Sequence, residues 1–244
     1  MSASIFDPPK RPRVPVQAAD KEQTPRLYIV LTNAGLETVK SKKGYELLRH
    51  DQHKGILSKH SRDPQKYRPD IVHQTLLALS DSPLNQAGKL QIYIHTVNNV
   101  LIEVSPHCRI PPTFDRFCML MVQLLHRMKI KATGGNNSDP TAQKTLLKVV
   151  KSPVTRHLPA AARRFFVAAS LQQEEELTKL PAFAQEHATN TPVCVSIDCT
   201  AKVSTSGDAP EWTEGALQVS HYELAPSTLC TRVCTAFELH WDVL

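Results

Sequence analysis

A chain of 244 residues, 41% of them hydrophobic, can bury the core of one elaborated domain or two small ones; with no 18-residue apolar run and no secretory-leader pattern, it is expected to be soluble and not secreted. The net charge of +6 conceals a segregation: residues 1–164 hold 26 Lys and Arg against 12 Asp and Glu, residues 165–244 hold 3 against 11, and a positive field of that kind suits a polyanion. Six cysteines (Cys108, Cys118, Cys194, Cys199, Cys230 and Cys234) form no CxxC and no histidine pair has ligand spacing, so the cysteines read as reduced core thiols and no metal site is expected.

Residues 1–25 carry five prolines and almost no apolar periodicity, which predicts a disordered tail; its Lys10-Arg11-Pro12-Arg13 is a short basic cluster of the nuclear-import kind. LYIVLT (27–32) is a continuous β-rich run, as in a strand buried on both faces. A helix is predicted over Tyr67 to Leu79, with a proline in its first turn and Ile71, Thr75, Leu76 and Leu79 at helical spacing. QIYIHTVNNVLIEV (91–104) reads as a hairpin or two neighbouring strands about Val97-Asn98-Asn99.

The clearest helix follows, with Thr113 as its N-cap and Phe114, Phe117, Cys118, Met121, Leu124, Leu125 and Met128 on one stripe. A polar break, ATGGNNSDPTAQ (132–143), separates the basic from the acidic half. The latter supplies a strand, PVCVSIDC (192–199), and a final helix with Ser227 as cap and Leu229, Val233, Phe237 and His240 on its buried face. Helices alternate with buried strands, and the class is α/β.

Two polar clusters flank the helix at 67–79. Arg68 and Asp70 stand at its start, and Asp81, Ser82 and Asn85 near its end; by themselves such clusters serve as caps more often than as catalysts. Arg109, in CRIPP, and Arg116, in FDRF, lie in and after a proline-stiffened loop, where guanidinium groups can fork onto phosphates. Surface salt bridges are the plain alternative for them.

The stretches LYIVLTNAGLETVK, RPDIVHQTLLALSDSPLNQAG, QIYIHTVNNVLIEVSPHCRIP, TFDRFCMLMVQLLHR and LLKVVKSPVTRHLP resemble, in order and spacing, the ribosome-biogenesis rRNA methyltransferases that act on N1 of a pseudouridine in small-subunit rRNA, members of the SPOUT class. The resemblance is dense over about residues 26–157 and resumes in KVS (202–204), VSHYEL (219–224) and TAFELHWDV (235–243). It implies a single SPOUT-type α/β domain over 26–244, with a basic RNA-facing part (26–164) and an acidic part (165–244) that is tied in a trefoil knot and holds S-adenosylmethionine. It also implies a homodimer, a nuclear and nucleolar location, and the small-subunit processome and its assembly factors as company.

By the same resemblance Asp70 takes or orients the proton of the base nitrogen and Arg68 fixes the carboxylate and faces the developing charge. Arg68, Asp81, Ser82, Asn85, Arg109 and Arg116 meet RNA, while Ser196, Ile197, Asp198, Ala201, Val219, Leu224 and Ser227 surround the cofactor. The family's cofactor loop reads like GAFAHGKVS. Here it is SIDCTAKVS, with Ser196 and Ala201 at the glycine positions and Asp198 in place of an aromatic residue; a second family segment resembling KVGTS is here FFVAAS (165–170). Pro112 also stands where the family usually has a basic residue. Glycine permits positive φ and close backbone approach to a ligand, so two readings stay open: an active methyltransferase with an atypical pocket, and an inactive relative that binds RNA as an assembly factor.

Overall fold

The computed structural model describes residues 18–42, 44–132, 144–169, 176–189, 191–202 and 208–243. After helix α1 (Ala18–Gln23), strand β1 (Leu27–Ala34) enters the main sheet, and β2 (Thr38–Ser41) and β3 (Gly44–Leu47) form a separate hairpin. Helices α2 (Lys54–Lys59), α3 (Pro69–Asp81) and the single turn α4 (Pro83–Gln86) lead to β4 (Leu90–Thr96) and β5 (Leu101–Val104). Then come α5 (Phe114–Arg127), β6 (Lys129–Lys131), β7 (Thr145–Val150), β8 (Arg163–Ala169), α6 (Leu180–His187), β9 (Val193–Asp198), β10 (Gly215–Ser220) and α7 (Pro226–His240).

Eight strands build one sheet in the order β10-β8-β9-β1-β4-β5-β7-β6. The first five are mutually parallel, and β5, β7 and β6 continue as an antiparallel meander. The apolar run of β1 belongs at the centre because parallel strands are covered on both faces. Leu27, Ile29 and Leu31 alternate into the main core with Leu76 of α3, Phe117 of α5 and Phe237 of α7. Tyr28 and Val30 point to the other face, where Tyr93, Leu101, Val154, Leu158 and Cys194 gather. All six cysteines are free and buried, as their role in the core requires, and among the described residues no helix is long and apolar enough to cross a membrane.

The α/β class, the doubly buried β1, the β4–β5 hairpin about Asn99 (φ 59°) and the long helices are where the sequence puts them. Four details differ. Residues 18–25 are not a loose tail, since α1 lies there and the Glu22 carboxylate accepts from the backbone N–H of Ala160 (2.6 Å) and Ala161 (3.2 Å); residues 1–17, with the basic cluster, lie outside the described residues. Tyr67 sits before α3, whose first residue is Pro69. Met128 is exposed instead of buried, because α5 stops at Arg127 and Met128 takes a left-handed φ of 61° to turn the chain into β6. Ala225, not Ser227, precedes the first residue of α7, for Pro226 already has the fixed φ that a first helical turn needs. The polar break falls, apart from Ala132, outside the described residues.

Candidate functional site

Helix α3 carries charge at its start because Pro69 opens it and leaves Arg68 just outside and Asp70 in its first turn. The two form a fork: Arg68 Nε donates to Asp70 Oδ1 at 2.9 Å and Oδ2 at 3.1 Å, and Nη2 donates to Oδ2 at 2.6 Å. Partial burial works to raise the Asp70 carboxyl, but the hydrogen bonds and charge of Arg68 outweigh it and hold the group below the usual carboxylate range. The same bonds push the Arg68 guanidinium further up. Gly35, just after β1, fixes where Arg68 sits: a Cβ there would stand 2.2 Å from Lys66 O and 2.9 Å from Arg68 N.

Arg68 also lines a cavity of about 380 Å³ with Ile71, Asp198, Thr200, Leu224 and Ser227. The cavity opens beyond the carboxyl end of β9 and beside the start of α7, the place where open parallel sheets bind ligands. Asp198 ends β9 opposite Thr32 of β1. One of its oxygens accepts from Thr200 N (2.8 Å) and the other from Asn33 Nδ2 (3.1 Å). Asn33 can reach across because β1 is irregular between Leu31 and Ala34 and Asn33 adopts φ 52°, a conformation asparagine tolerates better than most residues.

Of the residues expected around the cofactor, Asp198, Ala201, Leu224 and Ser227 line this cavity. The other three have side chains elsewhere. Ser196 and Ile197 are fully buried within β9, Ser196 Oγ donating to Phe165 O at 3.3 Å; Val219 of β10 lines a separate groove against α6 and α7. Neither Ser196 nor Ala201 takes a positive φ, so the missing glycines leave no strained backbone at those two positions.

The residues expected to meet RNA divide in the same way. Arg109 and Arg116 are exposed, the first in the loop before α5 and the second in the first turn of α5; the loop is tied to α3 by His73, one turn beyond Asp70, whose Nε2 lies 2.7 Å from Pro111 O. A carbonyl only accepts, so this nitrogen carries the proton. The His73 ring stacks on Phe117 at 4.6 Å, and Arg49 covers Phe114 at 4.6 Å. Asp81 is exposed. Ser82, by contrast, caps α4 by accepting from Asn85 N (3.2 Å), and the buried Asn85 side chain donates to Ser80 O (3.1 Å) and Pro106 O (3.4 Å). These two hold the joint between α3, α4 and the loop after β5.

Gly35, Asn33 and His73 are absent from the sequence reading. Gly35 and Asn33 carry a faint signal, as a glycine directly after a strand and an asparagine near its end; His73, a single histidine within α3, carries none.

The family model described as EMG1/NEP1 methyltransferase matches residues 29–238. The chain is 45% identical over 239 residues to the ribosomal RNA small subunit methyltransferase NEP1 of Homo sapiens, a match spanning 97% of this chain and 90% of that protein. It is 40% identical over 235 residues to ribosomal RNA small subunit methyltransferase nep-1 of Caenorhabditis elegans, spanning 96% and 94%. Its fold is similar to that of Archaeoglobus fulgidus Nep1 bound to S-adenosylhomocysteine, with a TM-score of 0.57 at 21% identity over 89% of this chain and 99% of that one. The architecture is thus the SPOUT-type α/β fold. By the extent and identity of these matches, the chain belongs to the EMG1/NEP1 methyltransferase family.

Proposed function

We propose that the protein methylates N1 of a pseudouridine in small-subunit ribosomal RNA, with S-adenosylmethionine as donor. The observation that carries this reading is the double placement of Arg68, which lines the cavity while it grips Asp70 at the start of α3. The cavity suits the cofactor chemically: Ile71, Val167, Leu224 and Leu229 offer an apolar lining for a flat base, and Asp198, Thr200 and Ser227 offer polar groups for a ribose and an amino acid. When bound, the cofactor supplies a methyl group on a cationic sulfur.

The chain's own residues then have separable tasks. Arg109, in the loop that His73 ties to α3, and Arg116, in the first turn of α5, are exposed and engage phosphates. The target base is taken out of its stack, as enzymes that act on a base require, and Arg68 faces the charge that develops as N1 gives its proton to solvent water and takes the methyl group. Asp70 serves best by orienting Arg68, because a carboxylate held below its ordinary range is a weak base. A formed cavity lined by Asp198, Thr200, Leu224 and Ser227 supports an active enzyme over a relative that has lost its pocket.

We also infer a homodimer. The second groove, about 430 Å³, is lined by Leu180 and Pro181 of α6 and by Ala236 and Leu239 of α7, and Leu239 is 57% exposed; an apolar surface of that kind fits a second copy. The return of α7 from the edge strand β10 onto α3 and α6 supports a knotted C-terminal path. A nucleolar site of action within the small-subunit processome follows from the substrate.

Calorimetric titration with S-adenosylmethionine and with S-adenosylhomocysteine, followed by mass spectrometry of an rRNA hairpin carrying pseudouridine or uridine, tests the enzyme. Micromolar binding and a methyl group on the pseudouridine hairpin alone are expected. No heat at millimolar ligand, from a protein that still binds rRNA, makes it an assembly factor without a cofactor.

A further inference from the structure

Asp198 has a geometry that the capping of one loop does not exhaust. Its carboxylate is held from two sides by neutral N–H donors, Thr200 N and Asn33 Nδ2, which orient the group without cancelling its charge. Asn33 contributes a backbone in the left-handed region and a side chain turned from β1 to β9 for that contact. The remaining charged groups of the cavity leave the carboxylate uncompensated. Arg68 is committed to Asp70 at 2.6 Å, while Glu223 and Lys202 on the rim carry opposite signs. A fixed negative charge in a concave site of this size favours a ligand with a positive centre.

We infer that Asp198, oriented by Asn33, makes the cavity discriminate by charge between S-adenosylmethionine, with its cationic sulfonium, and the neutral thioether S-adenosylhomocysteine that the reaction leaves behind. Asp198 is a specificity-determining residue in this sense: it favours uptake of the donor and release of the spent product. The inference rests on the cofactor reading above and goes beyond it, because a cavity can hold both ligands without telling them apart.

The test is calorimetry on the full-length protein and on Asp198→Asn, which keeps the side chain's shape and its acceptor for Thr200 N. Three ligands are used: S-adenosylmethionine, S-adenosylhomocysteine, and sinefungin, whose protonated amine stands at the sulfonium position. The wild type is expected to bind the two cationic ligands more tightly than S-adenosylhomocysteine. Asp198→Asn should lose about tenfold in affinity for both cations and change less than about twofold for the thioether. Equal weakening for all three would mean that Asp198 grips a part they share, such as a ribose hydroxyl, and would overturn the inference while leaving the cofactor reading intact. A wild type that binds all three alike overturns it without recourse to the variant. Binding of none overturns the cofactor reading, and the inference with it.

Discussion

Arg68 and Asp70, two positions apart across the start of α3, are joined by three hydrogen bonds of 2.6 to 3.1 Å, and the arginine of the pair also lines the cavity. A fork of this kind fixes the plane of a guanidinium, and a lysine cannot reproduce it. Arg68→Ala should lower the methylation rate roughly 100- to 1,000-fold, the scale seen when one preorganised donor to a developing charge is removed. Arg68→Lys should recover little of it. Both side chains are about one-third exposed, so the melting temperature should move by only a few degrees. Single-turnover rates beside thermal melts of the same preparations separate the two effects, and a large loss of stability would return the pair to a purely structural role.

The depressed Asp70 carboxyl has a pH signature. A group whose folded pKa lies below its unfolded value contributes stability that is complete above the unfolded value, roughly 3.9, and is lost as pH falls through the folded one. Asp70 should therefore stay ionised throughout the neutral range, and the single-turnover rate should show no limb between about pH 5 and 8 that disappears in Asp70→Asn. Such a limb in the wild type would identify Asp70 as a general base with a raised pKa instead of an anchor for Arg68.

Gly35 constrains the same arginine from below. A methyl group at this position would overlap Lys66 O at 2.2 Å and crowd Arg68 N at 2.9 Å, and backbone atoms cannot swing aside as a side-chain tip can. Gly35→Ala is expected to push the 66–68 segment outward, destabilise the protein by about 1–3 kcal/mol, and lower the rate by more than the lost stability accounts for. A variant with unchanged rate and unchanged melt would show that the segment has slack.

The legible part of the molecule was the part with period or continuity. The run LYIVLT declared β1 because a strand flanked by parallel neighbours is apolar throughout, and the stripe on α5 declared that helix until Met128, where the backbone turned left-handed. The strands β6, β7, β8 and β10 had weak patterns: edge strands such as β6, with Lys129 and Lys131 exposed, need no continuous apolar side. The site was legible where chemistry is local in sequence, as in Arg68-Pro69-Asp70. It was hidden where the fold brings distant chain together. Asn33 and Asp198 lie 165 residues apart, and His73 meets Pro111 across 38; neither pair leaves a spacing to read. Ser82 and Asn85 show a related ambiguity: they make capping and loop hydrogen bonds here, and a cap and a ligand contact use the same polar residue types.

Arg109 is exposed in the loop that His73 holds against α3, so its contribution to RNA binding should be electrostatic and insensitive to sequence. Arg109→Ala should weaken affinity for an rRNA hairpin and reduce the slope of log K against log salt by about one. His73→Leu, which keeps the apolar bulk and loses the 2.7 Å contact to Pro111 O, should weaken binding as well by freeing the loop. Fluorescence anisotropy from low to moderate salt reads both, and an unaltered slope in Arg109→Ala would remove that arginine from the RNA-facing surface.

The six thiols give a global test of packing. Burial pushes Cys108 and Cys118 up to about 11 and Cys234 to about 12, and drives Cys194, Cys199 and Cys230 higher still. Because the thiolate is the nucleophile, the folded protein should react slowly with Ellman's reagent at pH 8, and the count should rise to six on adding guanidinium. Cys118, the least buried at 9% exposure and beside Arg49, should be the first to react. Rapid labelling of Cys230 or Cys234 in the native protein would mean that α7 lifts from α3, and with it the wall of the cavity that Leu224 and Ser227 provide. Ligand in the cavity should then slow that labelling in proportion to its occupancy, which would make the same thiols a reporter of cofactor binding.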